Sequence, residues 1–169
     1  MKNILLTGKK QVGKSTIINK IMNEYSGKIC GFQTLRDHEE KRFYIKSASD
    51  DFNGNRKAFI CKRTESNRFI GLTNTFENQG VAILNESLNQ SPNLIIMDEL
   101  GTFEEDAARF HKMIYKCFEV NIPVLGVLKD KPSSFLDNVR KQPNTVIYNV
   151  TEENRHDIFH IVKNSIVHE

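Results

Sequence analysis

The chain has 169 residues, a length that suggests one domain burying about 70% of the surface that its unfolded chain exposes. Its hydrophobic content of 38% supports a packed core, and its formal net charge of +3 comes from 24 basic and 21 acidic residues that are interspersed. So mild a charge gives no electrostatic reason for a nucleic-acid or membrane partner. We therefore expect residues 1–169 to form a single domain with neither partner.

Cysteine usage and hydropathy indicate the compartment. Cys30, Cys61 and Cys117 are far apart, odd in number and form no C-x-x-C pair, which favours reduced thiols in the core over a disulfide framework. The N-terminal apolar run is too short for a signal peptide, and no stretch approaches the roughly 18 apolar residues of a membrane span. We therefore expect a cytoplasmic protein.

The first predicted elements are a short strand, a phosphate-binding loop and a helix. The strand is the apolar run from Asn3 to Thr7, and the segment GKKQVGKS, from Gly8 to Ser15, follows it directly. This segment matches G-x-x-x-x-G-K-[ST], in which successive backbone N–H groups form an anion nest at the positive end of the next helix. The helix is predicted from apolar residues at helical spacing, Ile17, Ile18, Ile21, Met22 and Tyr25.

The pattern assigns a task to individual residues of this loop. Lys14 is expected to reach the β- and γ-phosphates of a nucleoside triphosphate, and the Ser15 hydroxyl to bind Mg²⁺. Gln11 stands where such loops often have glycine, so its side chain must point away from the phosphates. The alternative is a strand–helix turn that contains two glycines and binds no ligand, but the flanking strand and helix favour phosphate binding. The expected nucleotide-binding residues are Gly8, Lys9, Lys10, Gln11, Val12, Gly13, Lys14, Ser15 and Thr16.

The middle of the chain is predicted to hold antiparallel hairpins inserted after the first helix. Three strands with short polar connections are predicted, over 28–35, 42–47 and 56–61. The last of them lies beyond a turn-forming segment at 50–55. Residues 62–75 show no clear pattern, whereas apolar residues over 76–88 lie near helical spacing, with Gly80 weakening the prediction of a helix.

From residue 93 the pattern changes to alternating strands and helices. Buried strands are predicted over 94–97, 122–128 and 145–148. A capping box, Thr102-x-x-Glu105, is predicted to begin a helix. The apolar face of that helix would carry Phe103, Ala107, Phe110, Ile114 and Cys117. Pro132 can begin a short helix, and Thr151 is predicted to cap the last one. The apolar set of the last helix is Ile158, Ile161, Val162 and Ile166.

This order of elements predicts an α/β fold of three layers, with a mainly parallel sheet and helices on both faces. Ligands of such sheets bind at the carboxyl ends of the strands, where both Ser15 and Asp98 fall.

Two carboxylates, Asp98 and Glu99, end the apolar strand that begins at Leu94. Nucleotides on a P-loop need Mg²⁺ held from across the site, and an aspartate at a strand end does this, so Ser15 and Asp98 are the expected metal residues. Glu99 is expected to orient water and accept its proton, which would make Glu99 and Lys14 the catalytic residues. The alternative is an acidic pair that caps the helix beyond it.

Five segments together carry a resemblance that covers nearly the whole chain: ILLTGKKQVGKST at the start, GFQTLR at 31–36, IIMDELGTFE at 95–104, VLGVL at 124–128 and VTEENR at 150–155. In these segments the chain resembles the thermophile-type, or cancer-related, nucleoside-triphosphatases of the P-loop NTPases. The resemblance implies slow hydrolysis of ATP, GTP, CTP, UTP and TTP with little base preference. It also implies that the nucleotide site includes Asp98, Glu99, Leu100, Gly101, Thr102, Phe103, Glu104 and Glu105.

The chain departs from that family pattern in places. Glycine is usual at Gln11 and isoleucine at Leu100, and residues 50–75 match only in outline. These differences leave phosphate binding intact and bear on the rate and the base preference.

Removal of a γ-phosphate usually needs a second positive charge beside the loop lysine. The candidates are Arg36, Arg109 and Arg155. Arg36 ends GFQTLR and either faces the phosphates or is a solvated turn residue. Arg109 lies beside an apolar helix face, where a surface role is favoured. Arg155 either contacts the base or ribose or stabilises the first turn of its helix.

An absent motif and the spacing of two histidines limit the base selectivity and the metal sites that the sequence predicts. The guanine-reading motif N-K-x-D is absent, with LKDK at 128–131 in its neighbourhood, which argues against strict GTP selectivity. His156 and His160 are four residues apart but lack further metal ligands, so we expect them at the surface. Two alternatives stay open, a small-molecule kinase and a nucleotide-controlled switch that acts through an unknown protein partner.

Overall fold

The computed structural model describes residues 2–49 and 57–167. The predicted turn at 50–55 and the start of the third predicted strand at residue 56 lie outside the described residues. The strands are β1 (Asn3–Thr7), β2 (Ile29–Arg36), β3 (Phe43–Ser47), β4 (Ala58–Phe59), β5 (Cys61–Arg63), β6 (Phe69–Gly71), β7 (Leu94–Leu100), β8 (Val124–Leu128) and β9 (Thr145–Asn149). The α-helices are α1 (Lys14–Glu24), α2 (Thr73–Thr75), α3 (Val81–Asn89), α4 (Ala108–Glu119), α5 (Ser134–Arg140) and α6 (Arg155–Val167), with a π-helical turn at Phe76–Gly80.

Seven of these strands form one sheet in the order β4-β3-β2-β7-β8-β1-β9. All neighbours from β2 to β9 in that order pair in parallel, and β3 pairs antiparallel with both β2 and β4. The predicted α/β class is confirmed, with an antiparallel hairpin after the first helix. Strands β7 and β8 are buried almost throughout, which is why their sequences are continuous apolar runs rather than alternating ones.

Helices cover both faces of the sheet and produce two apolar cores. On one face, α1 and α6 contribute residues such as Ile18 and Val162 to one cluster. On the other face, α3, α4 and α5 contribute residues such as Leu84, Phe110 and Leu136. The three cysteines are buried, as predicted for core thiols, and none of them forms a disulfide within the described residues. Among the described residues, no helix combines the length and apolar character that crossing a bilayer requires.

The third predicted strand is divided between two sheets. Strand β4 ends at Phe59, and β5 begins at Cys61 and, within the part of the chain that the structure describes, pairs with β6 in a separate two-stranded sheet. Ile60 is the link, since its N–H donates to the Phe43 carbonyl (2.9 Å) and its carbonyl accepts from Leu72 N–H (2.8 Å). The β5–β6 hairpin therefore leaves the main sheet although the sequence reads as one continuous strand.

Gly80 lies inside a helical stretch that is longer than predicted. The stretch runs over 73–89, with the π-helical turn ending at Gly80. A Cβ at Gly80 would come within 2.7 Å of Phe110 Cε2, so the glycine allows α4 to approach closely. The residue that weakened the sequence prediction is thus used for helix–helix packing.

The predicted capping box Thr102-x-x-Glu105 is wrong. Residues 102–106 form turns, and α4 begins only at Ala108, after a boundary residue without a side-chain cap. The reason is a local hydrogen bond: the buried Glu104 carboxylate accepts the Gly101 N–H (2.6 Å), which closes a turn where a helix was expected. Phe103 consequently lies in this turn and not on the α4 face.

The last helix differs from its prediction at one apolar position. Ile158, Val162 and Ile166 are buried as expected, but Ile161 is 44% exposed, so its assignment to the apolar face is wrong. The side chains of Thr151 and Asn154 exchange hydrogen bonds with each other's backbone N–H (3.3 and 2.7 Å), and this turn leads into α6.

Candidate nucleotide site

The loop between β1 and α1 has the backbone shape of an anion nest. Gly8 (φ 129°) and Gly13 (φ 107°) lie in the region that favours glycine, and a Cβ at Gly8 would overlap the Val150 carbonyl oxygen. Gln11 also has a positive φ of 64°, although it is not glycine. Because the Gln11 side chain is exposed, glutamine is tolerated where glycine is usual. The left-handed backbone conformation of a non-glycine residue costs about 1–2 kcal/mol.

Lys14, the first residue of α1, folds its side chain back over this loop. Its Nζ donates to the carbonyls of Gly8 (2.9 Å) and Lys9 (2.6 Å). Only 9% of the residue is exposed, and burial lowers the pKa of Lys14 while the nearby carboxylates of Glu99 and Asp98 partly oppose that shift. The ammonium group is therefore held at the centre of the loop by backbone oxygens.

Asp98 joins the loop to the middle of the sheet. It lies near the carboxyl end of β7, and its Oδ1 accepts a hydrogen bond from Ser15 Oγ (3.1 Å). Asp98 is 3% exposed, and burial raises its pKa to about 6, with the Ser15 hydroxyl acting in the opposite direction. A hydroxyl and a carboxylate that meet at hydrogen-bond distance form the oxygen donor set that Mg²⁺ prefers.

Ser15 and Asp98 are suited to a magnesium ion that binds together with a nucleotide. They are too few to form a metal site from protein ligands alone. Among residues 2–49 and 57–167 there is no group of three or more His, Cys, Asp or Glu that could hold a metal. Mg²⁺ bound with a nucleotide typically takes one or two protein ligands and fills its other positions with water and phosphate oxygens. Ser15 and Asp98 are sufficient for that arrangement.

Glu99 follows Asp98 in the chain and lies beside a lysine. Its Oε1 lies 3.8 Å from Lys129 Nζ, and 39% of the Glu99 side chain is exposed. Lys129 follows directly after β8, the strand between β7 and β1, and its Nζ also lies 5.3 Å from the centre of the Phe103 ring. Sequence reasoning missed Lys129, although its position immediately after a buried parallel strand matches that of the Asp98–Glu99 pair.

Glu104 is as deeply buried as Asp98. It is 3% exposed, and burial raises its pKa to about 7, while the hydrogen bond from the Gly101 N–H acts in the opposite direction. His111 Nε2 contacts the Glu104 carbonyl (2.8 Å) and its ring stacks on Phe135 at 3.9 Å. These contacts fix the turn that carries Gly101 and Phe103 beside the carboxylate pair.

A cavity of about 680 Å³ connects these groups. It opens over the loop, passes Asp98 and Glu99, and continues towards Arg36 and Phe43. Its volume lies within the about 300–1,000 Å³ that is usual for small-molecule sites. The predicted residues that line it are Gly8, Lys10, Gln11, Gly13, Lys14, Ser15, Thr16, Asp98, Glu99, Gly101, Phe103 and Glu104.

The sequence profile of the family described as NTPase matches residues 3–163. The chain belongs to this NTPase family. The family resemblance predicted from the five sequence segments is thereby confirmed.

Curated relatives and solved structures agree with this assignment. The nucleoside-triphosphatase THEP1 of Natranaerobius thermophilus is 27% identical, over 92% of this chain and 91% of that protein. The THEP1 protein of Thermotoga maritima is 28% identical, over 92% and 90%. THEP1 from Aquifex aeolicus has the same fold, with a TM-score of 0.78 at 21% identity over 98% and 99% of the two chains. A human cancer-related nucleoside triphosphatase has a TM-score of 0.74 at 18% identity, over 98% and 97%.

Some predicted residues of this NTPase lie near the cavity without lining it. Lys9 turns its carbonyl towards Lys14, Thr102 is half-buried, and Glu105 is exposed. Val12 and Leu100 are buried in the two cores, so any contact of theirs with a nucleotide is limited to backbone atoms.

The three candidate arginines occupy different places in the NTPase fold. Arg36, at the end of β2, lines the cavity. Arg155 is exposed and lies against the outside of the loop, with its Cδ 3.5 Å from the position of a Cβ on Gly13. Arg109 does not line the cavity and lies 3.9 Å from Glu77. His156 and His160 are exposed, as expected, with their Nε2 atoms 3.2 Å apart.

Proposed function

We propose that this NTPase is a Mg²⁺-dependent nucleoside-triphosphate phosphohydrolase that releases phosphate from NTPs with little base preference. The observation that carries the proposal is the contact between Ser15 Oγ and Asp98 Oδ1 (3.1 Å), within one cavity that also holds Lys14 and Glu99. The curated relatives at 27% and 28% identity are named nucleoside-triphosphatases, which supports hydrolysis as the reaction. One unit spanning residues 1–169 is proposed to perform it, since the family match covers most of that length.

Binding begins with the phosphates in the loop from Gly8 to Ser15. Backbone N–H groups and the N-terminus of α1 receive them, and Lys14 exchanges its loop carbonyls for β- and γ-phosphate oxygens. Ser15 and Asp98 are the residues that would hold Mg²⁺. The ion would neutralise charge on the β- and γ-phosphates when it is bound with the nucleotide.

Glu99 is proposed to accept the proton of the attacking water. Its side chain is 39% exposed, so it can reach solvent in the cavity, whereas Asp98 is turned towards Ser15. The two neighbouring carboxylates therefore have different environments, as expected when one serves a metal and the other a water molecule.

Lys129 is proposed to supply the positive charge that an arginine finger provides in other NTPases. It is only 24% exposed, it lines the cavity, and its Nζ lies 3.8 Å from Glu99 Oε1. A cation at this place lies beside the proposed base and faces the γ-phosphate end of the site. Arg36 remains a second candidate because it lines the same cavity.

Little base preference is proposed because the guanine-reading motif is absent. The segment LKDK at 128–131 stands in its neighbourhood, and there Lys129 contacts Glu99 in place of reading a base. Recognition would then rest on the phosphates, which all nucleoside triphosphates share.

The deciding experiment is Mg²⁺-dependent phosphate release from ATP, GTP, CTP and UTP by the wild type and by Glu99→Gln. We expect release from several of these nucleotides, and a loss of at least about tenfold in turnover in the variant with binding kept, since general bases contribute about 10²–10⁴-fold. Asp106→Asn, an exposed carboxylate outside the cavity, is the matched control and should behave as the wild type. Wild-type turnover in Glu99→Gln would remove Glu99 from the mechanism.

A further inference from the structure

The cavity extends beyond the carboxylate pair into a region walled by phenylalanines. We call this region the aromatic compartment and define it by Phe43, Phe69 and Phe103 together with Leu35 and Ile60. The three phenylalanine rings contact one another at centroid distances of 5.8, 6.2 and 6.4 Å. Each of the three is only half-buried although it belongs to an aromatic cluster, so apolar ring surface stays open to the cavity.

The strand order places this compartment on the γ-phosphate side of the site. Along the carboxyl edge of the sheet the order is β2, β7, β8, β1 and β9, so β7 with Asp98 lies between the phosphate loop and β2. Asp98, which would hold the ion with Ser15, lies on β7, and Lys14 of the loop is expected to meet the β- and γ-phosphates, so the γ-phosphate end of a bound nucleotide would face β7. The compartment, at the end of β2 and the start of β3, lies beyond that phosphate.

The wall of the cavity changes from polar to apolar between these two regions. A Cβ on Gly101 would lie 3.8 Å from Glu99 Oε1 and 3.9 Å from Glu104 Oε2, so two carboxylates converge over this glycine. The three phenylalanine rings line the same cavity. A nucleoside has the matching layout, with hydroxyl donors on the sugar at one end and a flat base at the other.

The outer wall of the compartment is held by backbone packing. Phe69 and Gly71 belong to β6 of the separate two-stranded sheet. A Cβ on Gly71 would overlap the Phe103 carbonyl oxygen, so the β5–β6 hairpin lies directly on the turn that carries Phe103. The hairpin therefore covers the compartment with Phe69 instead of extending the main sheet.

We propose that the aromatic compartment binds a nucleoside as a second substrate, to which the enzyme transfers the γ-phosphoryl group of NTP. The bond from the γ-phosphorus to the β–γ bridging oxygen breaks, and a bond from that phosphorus to the 5′-hydroxyl oxygen forms. The hydroxyl proton passes to Glu99 and then to solvent. The products are NDP and a nucleoside monophosphate, and hydrolysis is the same transfer to water.

This inference rests on the proposed nucleotide site but extends beyond it. The other candidate occupant is the base of the NTP itself. The position of the compartment disfavours that occupant, because the base is attached at the α-phosphate end of the nucleotide. Because base–aromatic stacking is tolerant of sequence, the compartment is expected to accept more than one base.

The test incubates the full chain with MgATP and, separately, with adenosine, guanosine, cytidine, uridine or thymidine. Nucleoside monophosphate and free phosphate are both quantified. Phe69→Ala removes one wall of the compartment, and Phe69→Leu keeps apolar volume without a ring. Ile70→Ala is the matched control, since Ile70 is the next residue of the same hairpin, is 43% exposed and does not line the cavity.

We expect the wild type to form the monophosphate of at least one nucleoside. Phe69→Ala should raise the KM for that nucleoside at least fivefold, Phe69→Leu should raise it less, and Ile70→Ala should leave it unchanged. In all three variants, phosphate release from MgATP without nucleoside should stay within twofold of the wild type, which also shows that the variants fold.

Three results would overturn the inference while leaving the hydrolase intact. One is phosphate release from MgATP with no monophosphate formed from any of the five nucleosides. Another is a monophosphate whose formation is equal in Phe69→Ala and wild type. The third is a raised KM for MgATP hydrolysis in Phe69→Ala without transfer, which would place the base of the NTP in the compartment. Failure of the proposed function itself is distinguishable, because MgATP would then neither bind nor release phosphate.

Discussion

At the scale of single residues, the two neighbouring carboxylates of β7 differ in burial and in the side chains that they contact. Asp98 is 3% exposed and accepts a hydrogen bond from Ser15, and burial raises its pKa to about 6. The Glu99 side chain is 39% exposed and lies beside the Lys129 ammonium. Asp98 and Glu99 line the same cavity, so the local sequence Asp-Glu supplies one buried and one partly exposed carboxylate to a single site.

Lys129 provides the first prediction at this scale. Replacing it by methionine removes the cation beside Glu99 but keeps an unbranched side chain of similar length. We expect kcat for MgATP hydrolysis to fall at least about tenfold with KM changed less than about threefold, because charge stabilisation acts mainly in the transition state. Steady-state kinetics measure both values.

Two further variants separate charge from packing at Lys129. Lys129→Arg keeps the cation and should recover most of the lost turnover. Lys131→Met removes an exposed lysine two residues further on, which does not line the cavity, and should behave as the wild type. An equal loss in Lys129→Met and Lys129→Arg would assign Lys129 a packing role against Phe103.

The raised pKa of Glu104 predicts that the free energy of unfolding depends on pH. Burial raises its pKa from the usual 4.5 to about 7, so the folded protein holds this proton more tightly than the unfolded chain. The favourable contribution is complete below about pH 4.5 and is lost as the pH rises through about 7. Above that range the buried carboxylate carries a desolvation cost.

Replacing this group by an amide removes the titration but keeps an oxygen that can accept the Gly101 N–H. Relative to wild type, the unfolding free energy of Glu104→Gln should therefore rise with pH between about 5 and 7.5, by up to about 3 kcal/mol at about 1.4 kcal/mol per pKa unit. Urea denaturation at a series of pH values measures this. Glu105→Gln, an exposed neighbour, should show no such slope, and a flat difference for Glu104→Gln would contradict the assignment.

At the scale of an element, the first turn of α4 is capped by a side chain from another helical segment of the same chain. Glu77, in the π-helical turn, accepts hydrogen bonds from the backbone N–H groups of Arg109 (2.8 Å) and Phe110 (3.4 Å). These N–H groups belong to the first turn of α4, which has no cap from its own boundary residue. The start of α4 is therefore determined by a residue more than 30 positions earlier in the chain.

Glu77→Ala should destabilise the protein by about 1–2 kcal/mol, the usual cost of losing a helix cap. For a chain of this size that lowers Tm by about 2–8 °C. Glu77→Gln keeps a neutral acceptor and should lose less, which calorimetry can resolve. Glu86→Ala, on an exposed turn of α3, is the control. Equal Tm values for Glu77→Ala and wild type would show that the cap is dispensable.

At the scale of the whole molecule, the site exists only because the sheet brings distant segments together. The loop follows β1, the carboxylates end β7 and Lys129 follows β8, and these three strands are neighbours in the order β7-β8-β1. A ligand that contacts all three segments should therefore stabilise the fold as a whole, and not one loop.

A non-hydrolysable ATP analogue with Mg²⁺ tests this coupling. At a concentration of 100 Kd, binding should stabilise the folded state by about 2.7 kcal/mol. Lys14→Ala should nearly abolish binding and with it the rise in Tm measured by thermal unfolding. Lys20→Ala removes an exposed lysine from the same helix and should keep the rise. An unchanged nucleotide affinity in Lys14→Ala would contradict the role of the loop.

Sequence patterns by themselves determined the fold class, the succession of the main strands along the chain and the two segments that bound the proposed site. The loop from Gly8 to Ser15 and the pair Asp98–Glu99 are local signals, since each depends on residues that are contiguous in the chain. The long parallel strands were predictable for the same reason, because burial on both faces demands continuous apolar runs.

Only the tertiary structure decided the features that depend on residues far apart in sequence. Glu77 caps the start of α4 from 32 positions earlier in the chain, so a contact between distant segments supplies the cap that local rules assign to Thr102. Lys129 meets Glu99, and Phe43, Phe69 and Phe103 form one wall, because sheet order and the β5–β6 hairpin place them together. The sequence shows which residues are present, but which of them meet across neighbouring strands depends on how the strands and helices pack together.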